Sequence, residues 1–384
     1  MEIKRDNTID DDSGSRWPPP PFTAADHARR IGRTIRRAMA AGLDGVLVAP
    51  GPDLAWLTGY ERVPGRLVLL ILSTHRRPAL LVPEGERDGV AATAAALGIE
   101  VAAWDEDPCA VAGEYLEPGG VFAVSDAVRA SHASRLRRAA PGSRYGGLSG
   151  CLPQLRAVKD GGELFRLAAA GAAADAAYTE ILRTPFAGRR EDEIAADLTR
   201  SLRRFGHERV DRAFVGSGPR SACPHHGPTG RVLGHGDAVV LGLRGRMCGY
   251  GSGTTRTVAV GEPDAELRRV HEVVRAAQQA AFEAVRPGVR CGHLDRVARE
   301  VIGDAGYGGR CTHRTGRGVG MTTDEPPYLL PGSEQRLEPG MCFSIEPGID
   351  LPGRFGVRIE DIVTVTADGG RRLTDTDHAL GVVE

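Results

Sequence analysis

The sequence predicts a two-domain α+β protein, an α/β domain followed by a larger domain of helices and strands. Three observations carry this. The chain has 384 residues, beyond the roughly 100–200 residues of a usual single domain. From Ala24 to about Gly150, helical periodicity alternates with short apolar runs, the pattern of an α/β domain with a largely parallel or mixed sheet. Beyond Asp160 the order helix–helix–strands occurs twice, which points to an internal duplication.

In chain order, residues 1–22 are polar and acidic, then proline-rich (DNTIDDDSGS, then WPPPP), and are expected to form a disordered leader. The first domain is placed at 23–155. HARRIGRTIRRAMAAGL has helical spacing, and GVLVAP reads as a buried strand. LAWLTGY, RLVLLILS and RPALLVP are expected as strands, with ERDGVAATAAALGI as a helix. YGGLSGCLPQLRAVKD is turn-rich and connects to a second domain at 156–384. There ELFRLAAAGAAADAAYTEIL and REDEIAADLTRSLRRFG are helices, followed by the strand RVDRAFVGSG and the hairpin DAVVLGLRGRMCGYGSGTTRTVAV. A third helix runs from Asp264, a suitable N-cap, to Val285, where Pro287-Gly288 stops it. HLDRVAREVIGDAG makes a fourth, and MCFSIEPGI and GVRIEDIVTVT are the closing strands.

Composition narrows the class. A formal net charge of −1 gives no bulk attraction to nucleic acid or to an anionic membrane. The seven cysteines are scattered and form no C-x-x-C pair, which argues against a disulfide framework and a zinc ribbon. No stretch approaches the roughly 20 apolar residues of a membrane span. The cytoplasm is the expected address, and a small molecule the expected partner. Neither a G-x-G-x-x-G after a strand nor a P-loop is present, so no cofactor is expected.

Several blocks in a fixed order then carry a resemblance: LAWLTGY and LRAVKD, VGSGPRSACPHHGPTG, GYGSGTTRTVAVGEP, THRTGRGVGMTTDEPPYLLPG, LEPGMCFSIEPGI and GRFGVRIEDIVTVT. Together they resemble the creatinase, aminopeptidase P and prolidase family (peptidase family M24). The resemblance implies a creatinase-like N-terminal α/β domain, a pita-bread catalytic domain and a homodimer. It also implies two divalent cations held by two Asp, one His and two Glu, because such cations need several anionic oxygens around a bridging hydroxide. Carried onto this sequence, the Asp positions are Gly242 and Gly253, the His position is Arg317, and the Glu positions are Glu346 and Glu360. Glycine has no donor and a guanidinium never gives up its proton in a protein. The expectation is therefore a frame without its metals, with Arg317 turned inward onto the two glutamates.

The same resemblance marks His225 as a substrate-contacting or proton-transferring histidine, against the alternative of a surface loop histidine like its neighbour His226. His313 matches a pocket-lining histidine, or else anchors a turn carbonyl. Asp324 stands where the metallopeptidases carry a histidine; it binds a cationic group or caps a turn. Arg358 is expected to anchor a carboxylate, and Arg244 and Arg246 flank the first vacated ligand position. Tyr60, Arg62 and Arg66 follow LAWLTGY in the region that dimeric relatives project towards a neighbouring subunit. Cys223 is set aside, since neighbours in a loop rarely aim at one another.

Creatinase, a metal-free member, sets the functional expectation: metal-independent, creatinase-like cleavage of a C–N bond in a small polar nitrogen compound. His225 serves as general acid/base, Glu346 and Glu360 orient a cationic group, and His313, Arg317, Asp324, Tyr60 and Arg62 bind substrate. The glycines at 242 and 253 are expected to enlarge the cavity. The alternatives are a repurposed biosynthetic enzyme (lyase, cyclisation or dehydration), a non-catalytic binding scaffold, and an Xaa-Pro metallopeptidase.

Overall fold

The computed structural model describes residues 19–61, 66–223 and 226–384. The leader expected at 1–22 therefore falls almost wholly outside the described residues, as do Arg62 and His225. The chain divides into two compact units between Arg156 and Ala157.

The first unit contains helices α1 Ala24–Ala40, α2 Pro52–Thr58, α3 Arg87–Ala96, α4 Pro108–Tyr115, α5 Ala130–Ala139 and the short α6 Leu148–Cys151. Its strands are β1 Gly45–Val48, β2 Leu69–Ser73, β3 Ala79–Pro83, β4 Glu100–Trp104, β5 Val121–Val124 and β6 Arg144–Gly147. They form a mixed sheet in the order β4-β3-β2-β1-β5-β6. Every residue of β1, β2 and β3 is buried, which is why these strands read as unbroken apolar runs. One expectation fails here. LAWLTGY is not a strand: Pro52 at the first helical turn and left-handed Gly59 at its end make Pro52–Thr58 a helix. Leu54, Trp56, Leu57 and Thr58 are all buried in it, so its apolar run carries no period-2 signal.

The second unit opens with α7 Gly161–Ile181 and α8 Glu191–Arg204, then β7 Arg209–Ser217, β8 Ala238–Met247 and β9 Tyr250–Val260. Asp160 and Glu163 close a capping box on α7, and Asp264 caps α9 Ala265–Glu283 through the Leu267 amide. Helix α10 spans Cys291–Asp304. The closing strands are β10 Gly316–Gly318, β11 Glu325–Leu329, β12 Cys342–Ile345, β13 Gly348–Leu351, β14 Phe355–Arg358, β15 Asp361–Val365, β16 Gly370–Arg372 and β17 Gly381–Val383. Strands β17-β9-β8-β7 form one sheet and β11-β10-β12-β15-β16 another, with β13 and β14 paired separately.

Each sheet buries one face under a helix pair. Ala174, Ile181, Ile194 and Leu198 of α7 and α8 pack with Leu241 and Val258 of the first sheet. Val270, Val274, Leu294 and Ala298 of α9 and α10 pack with Phe343, Ile345 and Val363 of the second. The duplication read in the sequence is thus two helix-backed sheets. They join through a backbone bridge, the Glu360 amide donating to the Thr255 carbonyl at 2.9 Å. That bridge puts Glu360 on the seam between the layers.

Candidate functional site

A sheet's period of two sets the site's first wall. Cross-strand register on β7, β8 and β9 gives two adjacent rows on one face, Arg212–Arg244–Gly253 and Phe214–Gly242–Thr255. Facing them, β10 supplies Arg317, the end of β12 leads to Glu346, and β14 leads through Arg358 to Glu360. Together they surround a cavity of 220 Å³, with His313, Arg314 and Asp324 completing its lining.

Its floor is a cluster of two guanidiniums and two carboxylates. Arg317 Nη1 donates to Glu346 Oε1 at 2.8 Å, and Nη2 to Glu360 Oε1 at 3.3 Å. Arg244 Nη2 donates to Glu346 Oε2 at 2.9 Å and to both oxygens of Glu360 at 3.3 Å. Ser344 Oγ donates to Glu346, and Thr255 Oγ1 to Glu360. The side chains of Arg317 and Glu360 are 3% and 0% exposed, so water screens these contacts little.

Two like charges held this close separate in acidity. Burial, and then Glu360, push the Glu346 carboxyl up. Burial also opposes ionisation of Glu360, but Arg244 and Arg317, with the Thr255 hydroxyl, overcome it and bring that carboxyl down to about 2. Glu360 is thus the fixed anion of the pair.

The glycines do not enlarge the cavity as expected. A Cβ at Gly253 would sit 3.0 Å from Glu360 Oε1, and one at Gly242 would sit 3.3 Å from the Phe214 Cβ. The space their missing side chains leave is filled by the Glu360 carboxylate and the Phe214 ring.

His313 lies at the cavity edge with both ring nitrogens engaged. Its Nδ1 faces the Arg314 carbonyl at 2.8 Å, and Arg358 Nε donates to its Nε2 at 3.2 Å. A carbonyl on one side and an N–H donor on the other set the neutral tautomer, protonated at Nδ1. Burial, and then the Arg358 charge, bring its pKa down to about 4. Arg358 also donates to buried Asp350 at 3.3 Å. Asp324 pairs with Arg314 at the mouth, where both remain partly exposed.

Other residues singled out in the sequence are placed elsewhere. Arg246 does not reach the cavity but donates to Asp211 at 3.0 Å. Tyr60 belongs to the first unit, its hydroxyl donating to Glu86 at 3.0 Å. Cys223 is exposed. His225 and Arg62 lie outside the described residues.

The sequence reading missed several groups. Arg212 and Arg314 line the cavity but sit in blocks valued only for other positions. Arg256, buried at 1% exposure, donates to the carbonyls of Thr255 at 2.9 Å and Glu360 at 2.7 Å and pairs with Asp361 at 2.6 Å. It pins the bridge that carries Glu360. From α10, Asp295 accepts from Thr315, and Arg299 donates to the His313 carbonyl at 2.7 Å, which fixes the loop between His313 and Arg317. Buried Lys159 donates to Glu325 at 2.8 Å beneath the next turn. Only their residue types, charged groups within apolar runs, offered a signal.

A divalent pair would have Glu346 and Glu360 as oxygen donors here, but Gly242 and Gly253 add none. Two guanidiniums already take up the inward oxygens of both acids. Among the described residues no group of three or more His, Cys, Asp or Glu is arranged to hold a metal ion. This donor set does not fit a two-metal centre.

Residues 166–367 match the sequence profile of metallopeptidase family M24, and residues 30–158 that of the creatinase/prolidase N-terminal domain. The chain is 40% identical over 368 residues to the probable dipeptidase PepE of Mycobacterium bovis, covering 94% of this chain and 98% of that protein. It is 39% identical over 265 residues to the Xaa-Pro dipeptidase of Lactobacillus helveticus, covering 67% of this chain and 71% of that protein. The crystal structure of dipeptidase PepE from Mycobacterium ulcerans superposes with a TM-score of 0.91 at 38% identity, covering 95% of this chain and all of that one.

These similarities overturn the creatinase-like expectation of metal-independent C–N chemistry. That reading weighed five ligand positions, whereas the likeness to dipeptidases spans almost the whole chain. The peptidase alternative is the one they favour. Among the described residues no helix is long and apolar enough to cross a membrane.

Proposed function

Because this chain belongs to metallopeptidase family M24, an enzyme family, and has a creatinase-type N-terminal domain and a pita-bread second domain, we propose that it acts on peptides of dipeptide size, Xaa-Pro dipeptides among them. The observation that carries the reading is likeness to proteins named as dipeptidases over both domains, with 94% of the chain aligned to one of them.

The cavity supports the same class. At 220 Å³ it is smaller than the ~300–1,000 Å³ of sites for drug-sized ligands. Its mouth presents a guanidinium, Arg314, beside a carboxylate, Asp324. Those are the two charges that the free ends of a dipeptide require. Phe214 gives an apolar wall between the polar groups.

The test is a panel of dipeptides, Xaa-Pro and others, offered to the purified full chain alone and with Mn²⁺, Co²⁺ or Zn²⁺. Binding is followed by calorimetry and cleavage by release of free amino acids. Saturable binding of dipeptides, lost when both ends are blocked, is expected. Failure of every dipeptide to bind or be cleaved under all of these conditions overturns the reading.

A further inference from the structure

A second cavity opens in the second unit and shares no lining residue with the first. Its volume is 400 Å³, and it lies between α9 and the loop from β16 to β17. Arg268, His271, Glu272 and Arg275 recur at helical spacing, so one face of α9 forms a wall. Asp377, His378, Ala379 and Leu380 of the loop form the other.

His271 is the group that the fold alone leaves unexplained. It is 3% exposed, yet its ring makes no hydrogen bond to any described residue. Burial brings its pKa down to about 4, so the ring is neutral and carries one N–H donor and one lone pair. A buried polar group without a partner is costly, and a ligand in the cavity supplies the missing bonds. Across from it, His378 donates through Nε2 to Asp361 at 2.7 Å, which leaves Nδ1 without a partner among the described residues.

Charges of both signs stand around these rings. Arg268 pairs with Glu262, and Arg275 with Glu272 at 2.6 Å, in contact with solvent, where ion pairs are weakly held. Asp377 uses one oxygen, on the Ala379 amide at 2.9 Å. Ala379 and Leu380 add an apolar stretch. Cations on the helix, an anion on the loop and an apolar surface beside them are the complement of a small zwitterion with an aliphatic body. We propose that this cavity binds a free α-amino acid, its carboxylate received by the His271 N–H with Arg268 or Arg275 and its ammonium by Asp377. The inference stands apart from the dipeptide reading and does not need it.

Calorimetry with L-leucine on the full chain is the test. The controls are 4-methylpentanoate, which lacks the ammonium, and 3-methylbutylamine, which lacks the carboxylate. Leucine should bind about tenfold tighter than either, the effect of one charged hydrogen bond. His271→Phe should weaken leucine by about the same factor. Asp377→Asn should bring leucine within about twofold of 4-methylpentanoate and leave the latter unchanged. Arg314→Ala, at the mouth of the first cavity, should not affect leucine. Circular dichroism establishes that each variant is folded; should His271→Phe not fold, Asp377→Asn carries the test. The inference is overturned if leucine does not bind, if it binds no tighter than 4-methylpentanoate, or if Arg314→Ala abolishes binding that the His271 and Asp377 variants retain. Failure of dipeptides to bind leaves it standing.

Discussion

Arg256 pairs with Asp361 at 2.6 Å inside the second unit, and the same guanidinium donates to the Glu360 carbonyl at 2.7 Å. A charge on the central hairpin thereby sets the backbone from which the Glu360 carboxylate reaches the cavity. The pair is buried on both sides, 1% and 0% exposed. Removing one partner of such a pair leaves an uncompensated charge in the interior and costs about 3–5 kcal/mol.

Arg256→Ala should therefore lower the unfolding free energy of the second unit by about that amount in urea titrations. The His378 and Gln278 contacts to Asp361, 2.7 and 2.8 Å, hold the loss towards the lower end. A change under about 1 kcal/mol would show that the guanidinium is not what holds the seam.

The acids on the cavity floor predict opposite responses to acid. Glu360 titrates near 2 in the fold against 4.5 in the free side chain, so its stabilisation is present above pH 4.5 and lost as pH falls towards 2. Glu346 is shifted upward, so its contribution has the other sign, present below pH 4.5 and lost as pH rises through its raised value. Below pH 4.5 wild-type stability should therefore fall by the Glu360 contribution, about 3 kcal/mol, while from pH 4.5 upward the Glu346 contribution is the one that is lost. Glu360→Gln should flatten the fall below pH 4.5, and Glu346→Gln should remove the loss above pH 4.5. Denaturant midpoints at pH 2.5, 3.5, 4.5 and 7 measure all three; parallel slopes for the two variants would refute the division of roles.

The sequence made the frame legible because the frame is periodic and its motifs are contiguous. The hairpin of β8 and β9, the capped helix from Asp264 and the mixed first sheet are all local patterns. Arg317, Glu346 and Glu360 were found because each sits within a recognisable block. What stayed hidden depends on contacts far apart in the chain. Arg244 meets Glu346 across 102 positions and Arg256 meets Asp361 across 105. The filling of the space at Gly242 by Phe214 is a cross-strand relation that no single segment shows. The helix at Pro52–Thr58 was misread because burial on all sides erased its periodicity.

Lys159 and Glu325 give a second buried pair, at 2.8 Å with 1% and 3% of their side chains exposed. Glu325 also accepts from the Thr322 hydroxyl at 2.7 Å, so the pair braces the turn that carries Asp324. Lys159→Met and Glu325→Leu should each destabilise by about 3–5 kcal/mol, and the double variant by much less than their sum. A double-mutant cycle in urea provides the comparison. Additive losses would mean that the two charges do not depend on each other.

At the cavity mouth the expectation reverses, because solvent reaches the charges. The side chains of Arg314 and Asp324 are 34% and 55% exposed, and an ion pair so placed contributes only about 0–1 kcal/mol. Arg314→Ala should thus leave the urea midpoint nearly unchanged. Its binding role predicts a different size of effect: removing the guanidinium that meets a peptide carboxylate should weaken a neutral dipeptide about tenfold, the ~1.4 kcal/mol of one charged hydrogen bond. Asp324→Asn should weaken the same ligand by acting on its ammonium, and an N-acetylated dipeptide should be indifferent to that change. Loss of stability without loss of affinity in Arg314→Ala would make the pair a brace for the 314–324 loop and would remove it from substrate recognition.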